Sequence, residues 1–254
     1  TSIGATTPST GAFTTLTAQT EVLKGTGDNL LLRSQTLGTS PWALTAATIS
    51  GTLYTAPDST TTANKLIESN TTALHYDQQI VTGVGSGTSY IISVYAKAGE
   101  RTVIEILDAY ASLGRTFNLS NGTVGAAQSG VGNATVYGIS DAGNGWYRCY
   151  IGVNASGTSI SHRITLSNGS TTNYAGDGTS GAYLWGAQIE IGGTLNTYIP
   201  TTTTAVYGTP SLSFSGVAGI GLESNGALYV SPAGTGALQA QATTSSAVGG
   251  NARG

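Results

Sequence analysis

The stretch YAGDGTSGAYLWGAQIEI, residues 174–191, decides how the chain is read. Its segment Gly176-Asp177-Gly178-Thr179-Ser180-Gly181 formally matches the G-x-G-x-x-G spacing that cradles a pyrophosphate. That spacing works only where a strand enters the glycines and a helix leaves them, because the free N–H groups of the helix start meet the phosphates. From Tyr183 onward the apolar side chains instead fall on alternate positions, Tyr183, Trp185, Ala187, Ile189 and Ile191, with Gln188 and Glu190 between them. This is the period of a strand with one buried face. The glycines therefore read as a turn, with Asp177-Gly178 supplying the positive φ angles of a tight hairpin, and the nucleotide reading falls away.

The same texture extends outward. YIISVYAKAGE (90–100) alternates Tyr90, Ile92, Val94 and Ala96 against Ser93 and Lys97. RTVIEILDAY, TVYGIS, WYRCYIGV and HRITLS read as further strands, separated by Asn121-Gly122, DAGNGW (141–146) and Asn168-Gly169 as hairpin signals. Only TANKLIES (62–69) admits a helical turn as well as a strand. Turns at intervals of roughly ten residues indicate an antiparallel sandwich or jelly roll, not a helix-separated parallel sheet.

Composition agrees. Of 254 residues only 8% are charged, 37 are Gly, and Thr and Ser are abundant, so solubility rests on hydroxyls and amides. Nine Lys and Arg scattered through a chain of net charge -3 form no basic stripe, which argues against nucleic acid as a partner. No apolar run is long enough to suggest membrane insertion, and TSIGATTPSTGAF does not read as a signal peptide. The single cysteine, Cys149, alternates with Tyr147, Ile151 and Val153 and reads as a small buried hydrophobe. Methionine is absent even at position 1, so the chain is read as a piece of a longer product.

Three zones differ in texture: 1–27, 28–203 and 204–254. The end zones carry too few large apolar side chains to offset roughly 1 to 2 kcal/mol of backbone entropy per ordered residue. They are expected to order against copies of themselves, as fibrous, trimer-forming β segments in a homotrimer, the alternative being a pair of flexible tails.

Chemistry-bearing motifs are sparse. His75 and His162 lack metal-ligand spacing, and His162, alternating with Ile164 and Leu166, reads as a core-edge histidine. No G-x-S-x-G elbow occurs, and no pair among the Asp and Glu residues stands out as the two carboxylates, about 5 to 10 Å apart, that cleave glycosidic bonds. No catalytic residue and no cofactor are expected, a metal is left unassigned, and the chain is read as not an enzyme. Aromatic faces stack on sugar rings, and Trp42, Tyr54, Tyr76, Tyr110 and Tyr174 are the candidate glycan-binding residues, whereas Trp146, Tyr183 and Trp185 read as core.

The series NLLLRSQTLGTSPWALTAATIS (29–50), APDSTTTANKLIES (56–69), YIISVYAKAGER (90–101), GNGWYRC (143–149) and YAGDGTSGAYLWGAQIEIGGTLNTYIPT (174–201) resembles a domain recurrent in bacteriophage virion proteins, notably tail and head fibres. That domain is similar to jelly-roll carbohydrate-binding modules. The ends fit the resemblance: IGATTPSTGAFTTLTA looks like a repeat that introduces fibre domains, and LYVSPAGTGALQAQ with GGNARG like a shaft continuing beyond the chain. The resemblance implies a structural virion component on tail or capsid. Such a component is usually homotrimeric, contacts other virion proteins and binds host-surface polysaccharide. A purely structural decorating protein and a glycan-degrading enzyme are the alternatives.

Overall fold

The structure, a computed structural model, describes residues 27–128 and 130–208 together with the strand backbones at 211–212, 219–222 and 228–231. The expectations placed on the end zones, fibre segment and shaft alike, fall almost wholly outside the described residues.

Among the described residues every regular element is a strand, as the alternating apolar pattern and low charge predict. Sixteen precede residue 192: β1 (Ala43–Thr45), β2 (Ala47–Ile49), β3 (Tyr54–Thr55), β4 (Thr61–Glu68), β5 (Thr72–Leu74), β6 (Tyr76–Thr82), β7 (Ser89–Lys97) and β8 (Val103–Asp108). There follow β9 (Leu113–Asn118), β10 (Thr123–Gly125), β11 (Gly132–Asn133), β12 (Val136–Gly143), β13 (Trp146–Asn154), β14 (Ser159–Ser167), β15 (Asn173–Ala175) and β16 (Gly181–Ile191). The ambiguous TANKLIES segment is strand β4, paired with both β2 and β16.

Two sheets pack face to face. The first has the order β1-β6-β14-β8-β9-β10, and the second β12-β13-β7-β16-β4-β2. All of these pairings are antiparallel, and only the two-residue β11 runs parallel to its neighbour, β9. β5 and β15 form a separate small ladder. The chain is an all-β antiparallel sandwich. Beyond it, β17 (Ser211–Leu212), β18 (Gly219–Leu222) and β19 (Leu228–Ser231) form an antiparallel meander.

The core lies between the sheets. Ile92, Val94 and Ala96 of β7, Cys149, Ile151 and Val153 of β13, and Leu184, Ala187 and Ile189 of β16 meet Ile104, Ile106, Phe117, Ile160, Ile164 and Leu166. Each large side chain fully removed from water there contributes on the order of 2 kcal/mol. Burial pushes the Cys149 thiol far up, so the cysteine is the inert hydrophobe the alternation predicts. His162, expected at the core edge, is wholly buried: its Nε2 lies 2.9 Å from the Ser93 carbonyl, and its ring sits 5.8 Å from Trp42, edge to face. Desolvation holds it neutral by pulling its pKa down to about 4.

β16 departs from the expected single phase. Between Trp185 and Gln188 its register against β7 shifts by one residue, a β-bulge centred on Gly186 with φ +61°. Ala182 and Leu184 face the core before the bulge, and Ala187 and Ile189 after it. Tyr183 and Trp185, expected to share the core face with Ala187 and Ile189, project to the other side of the sheet. Nor is the glycine segment a hairpin, because β15 and β16 belong to different sheets. Gly181 is required by close approach: a Cβ there would overlap the carbonyl oxygen of Leu66. Asp177 acts through its carboxylate, accepting from the N–H groups of Thr179 (2.8 Å) and Ser180 (2.7 Å).

The outer face of the second sheet is partly covered by a strap, residues 192–206, tied down by the polar residues that alternate with the core. Gln188 Oε1 accepts from the Ile199 N–H at 2.8 Å, Glu190 accepts from Asn196, and Val206 exchanges both backbone hydrogen bonds with Asn29. Gln188 and Glu190, which read as a wet face, are fully buried beneath it.

Gly186→Val forces a β-branched residue to positive φ and brings its Cβ to 3.1 Å from Tyr95 and 3.2 Å from Tyr198. We expect it to lower stability by about 2–3 kcal/mol, read as a shifted denaturant midpoint. An unchanged midpoint would show that β16 does not need the bulge.

Candidate functional site

Because β16 changes phase, aromatic and basic side chains collect on the outer face of the second sheet. Trp146 of β13 lies opposite Lys97 of β7, Lys97 opposite Tyr183 of β16, and Tyr183 opposite Lys65 of β4. Residues directly opposite in an antiparallel pair share a face, so these four form one row across four strands. The next row holds Arg148, Tyr95 and Trp185. Tyr198 of the strap closes that second row, its ring 4.8 Å from Trp185 and 5.9 Å from Tyr95.

The first row is left open. β3 folds over it, placing the Tyr54 ring 4.7 Å from Tyr183 at 66°. Tyr54, Thr55, Lys97, Trp146 and Tyr183 line a cavity of about 260 Å³. Trp146, 2% exposed, backs the cavity without offering a face of its own, its Nε1–H donating to the Thr55 carbonyl at 3.2 Å. Tyr54 and Tyr183 are half-buried, each leaving part of its ring to solvent. The volume falls just short of the roughly 300–1,000 Å³ of sites that enclose drug-sized ligands, and suits one ring-sized group.

Charge around the cavity is unevenly compensated. Lys65 pairs with Glu100 at 2.7 Å, and that hydrogen bond, against a smaller desolvation, holds the Glu100 carboxyl below its usual range. Lys97 forms no ion pair among the described residues. Arg148 serves structure: desolvation lowers its pKa, Nη1 donates to the Asn196 carbonyl at 2.6 Å, and the guanidinium lies 5.3 Å from the Tyr95 ring. Carboxyls with a raised pKa lie elsewhere, in the first sheet: burial lifts Asp77 to about 6 and raises Glu105. Among the described residues no three His, Cys, Asp or Glu side chains gather where they could hold a metal ion.

The five residues singled out in the sequence do not share a surface. Tyr54 alone lines the cavity. Tyr76 stands on the first sheet beneath Arg163, at 4.3 Å, and Tyr110, 49% exposed, sits in the β8–β9 turn. Trp42 and Tyr174 are corrected: at 4% and 6% exposure neither offers a face to a sugar. Trp42 packs in the inter-sheet core with Nε1–H near the carbonyls of Leu32 and Arg33, each at 3.2 Å. Sequence reasoning placed Trp146 in a core, where it is, but missed that it meets Tyr183 and Lys97 at a cavity. The alternation of β7 did carry a signal, since Tyr95 and Lys97 fall on the parity opposite to Ile92, Val94 and Ala96.

Tyr174 belongs to a second polar cluster. Its hydroxyl donates to Glu68 Oε2 at 2.6 Å, Arg101 forks onto both oxygens of the same carboxylate, and the Asp177 N–H donates to Oε1 at 2.9 Å. Burial opposes ionisation of Glu68, but these bonds outweigh it and hold the carboxyl below its usual range. The cluster joins the end of β4 to the β15–β16 loop. Its partners are mutually satisfied and offer nothing to a ligand.

No protein-family model and no curated protein matches the chain. Among solved structures it is similar to the enzymatically active domain of bacteriophage CBA120 tailspike protein 4, at 15% identity and a TM-score of 0.39. The similarity covers 64% of this chain and 21% of that one, so the chain spans about a fifth of that protein's length. The expectation that the chain is not an enzyme is withdrawn against this finding, because the similar chain is described as enzymatically active.

Glu68→Gln leaves Arg101 facing a neutral amide and should cost about 3 kcal/mol at neutral pH. A depressed carboxyl pKa contributes fully above the unfolded value, about 4.3, and that contribution is lost as pH falls through the folded value. The gap between wild type and variant should therefore narrow below about pH 4. Unfolding midpoints across pH check this, and a gap that stays constant would remove Glu68 as its source.

Proposed function

We propose that this chain is a component of a bacteriophage fibre or spike whose sandwich domain binds host-surface glycan in the Tyr54–Tyr183 cavity. The observation that carries the reading is the open aromatic cavity itself. Two half-buried tyrosine rings meet edge to face in front of the buried Trp146, beside Thr55 and the Lys97 cation. Aromatic walls accept the C–H faces of a sugar ring while hydroxyl and charged groups meet its oxygens. The ordered residue series that resembles phage fibre domains, with a jelly-roll module at its centre, supports the virion setting.

One such contact is weak, and repetition makes it useful. A homotrimer built through segments 1–27 and 204–254 would present three cavities, and linked sites multiply affinity without new contacts. Recognition of a glycan is common to holding it and to cutting it, so the bound polysaccharide is examined for both.

Tyr54→Ala and Tyr183→Ala should each weaken binding to host cells or to a glycan array by about 3- to 10-fold per site, with the unfolding midpoint little changed. Trp42→Ala should instead lower the midpoint. Shortened polysaccharide after incubation would identify cleavage. Silence across a broad array and on host cells overturns the reading.

A further inference from the structure

Lys97 stands at the centre of the aromatic row, between Trp146 and Tyr183, and lines the cavity between them. Its neighbours leave its charge uncompensated. Lys65, the other lysine of the row, already holds Glu100 at 2.7 Å. Asp58, in the turn between β3 and β4, accepts from the Thr60 N–H at 3.0 Å and from its hydroxyl at 2.7 Å. The Asp141 carboxylate, at the β12–β13 hairpin, accepts from the Gly143 N–H at 2.7 Å. The cavity thus presents one unengaged cation against aromatic walls, in a chain with a net charge of -3 and only nine basic residues. A neutral sugar needs hydroxyl partners there. A cation in a partly desolvated aromatic setting gains most from an anion, through a charge-assisted hydrogen bond.

We infer that the sugar taken by the Tyr54–Tyr183 cavity is anionic, a hexose carrying a carboxylate, with the ring against the tyrosines and the carboxylate on Lys97 Nζ. This rests on the glycan-binding reading above and specifies its ligand class. Lys65 and Glu100 then act as the rim of the site: the pair keeps Lys65, 5.8 Å from the Tyr183 ring, close to the wall without adding a second free charge.

The full chain is titrated with three uronate polysaccharides, polygalacturonate, alginate and hyaluronan, and with the carboxyl-reduced form of each, which keeps the sugar backbone and loses the charge. At least one acidic form should bind about tenfold tighter than its reduced partner, and added salt should erase the difference. Lys97→Gln should abolish that preference, Lys97→Arg should keep it, and both should unfold at the wild-type midpoint. Equal binding of acidic and reduced forms, or a preference untouched by Lys97→Gln, overturns the anionic assignment; a loss of binding in Tyr183→Ala then shows that the cavity still takes glycan. Binding confined to neutral glycans also overturns it. Failure of every polysaccharide, acidic or reduced, together with a silent glycan array, removes the glycan reading and this inference with it.

Discussion

One inserted residue organises this molecule. A strand between two neighbours presents alternate side chains to opposite faces, and an extra residue exchanges the two sets. At Gly186 the core face of β16 passes from Ala182 and Leu184 to Ala187 and Ile189 without a gap in the hydrophobic layer. The same shift sends Tyr183 and Trp185 to the opposite face. Only a residue at ease with positive φ sits there without strain, and the space above it is taken by Tyr95 and Tyr198. Without the bulge, one half of β16 would turn its apolar residues away from the core.

The consequence for the outer face is a division of labour. Past the bulge, β16 presents Gln188 and Glu190, whose side chains bind the backbone of the strap and bury themselves in doing so. Before the bulge it presents the aromatics, which Tyr198 covers only as far as the second row. The open cavity is the part of the aromatic surface that the strap does not reach. Its shape follows from where the hydrogen-bonding residues stop and the rings begin. The Glu68–Arg101–Tyr174 cluster holds the other end of the same strand, so β16 is anchored at both ends through buried carboxylates, Glu68 at one and Glu190 at the other.

The candidate site was only partly legible. Tyr54 is one of five aromatics singled out for their faces, and it lines the cavity. Trp42 and Tyr174 looked equivalent to it in sequence, yet one is core and the other donates to a buried carboxylate. Burial of an aromatic side chain depends on what crosses over it, and the strap and β3 come from distant parts of the chain. Lys97 passed as the wet position of an amphipathic strand. Its significance comes from Trp146 and Tyr183 on the two neighbouring strands, a juxtaposition that strand order creates and no local window contains.

The sequence by itself determined the class of structure. Alternation, Asn-Gly turns and the scarcity of charge specify strands and turns, because the two-residue period and the turn angles are local properties of the backbone. Whether a turn closes a hairpin is not local, since Asn121-Gly122 joins the paired β9 and β10 whereas Asn168-Gly169 leads from β14 into β15 of a different sheet. It also determined that the glycines of residues 176–181 serve chain geometry and not a phosphate, since no helix pattern follows them. Tertiary structure alone decided which face of each strand is inside, which aromatics remain open, and that Lys97 stands between Trp146 and Tyr183. Those outcomes depend on strand order, on a one-residue phase change and on a strap that returns from beyond β16, and all three are set by contacts between residues far apart in the chain.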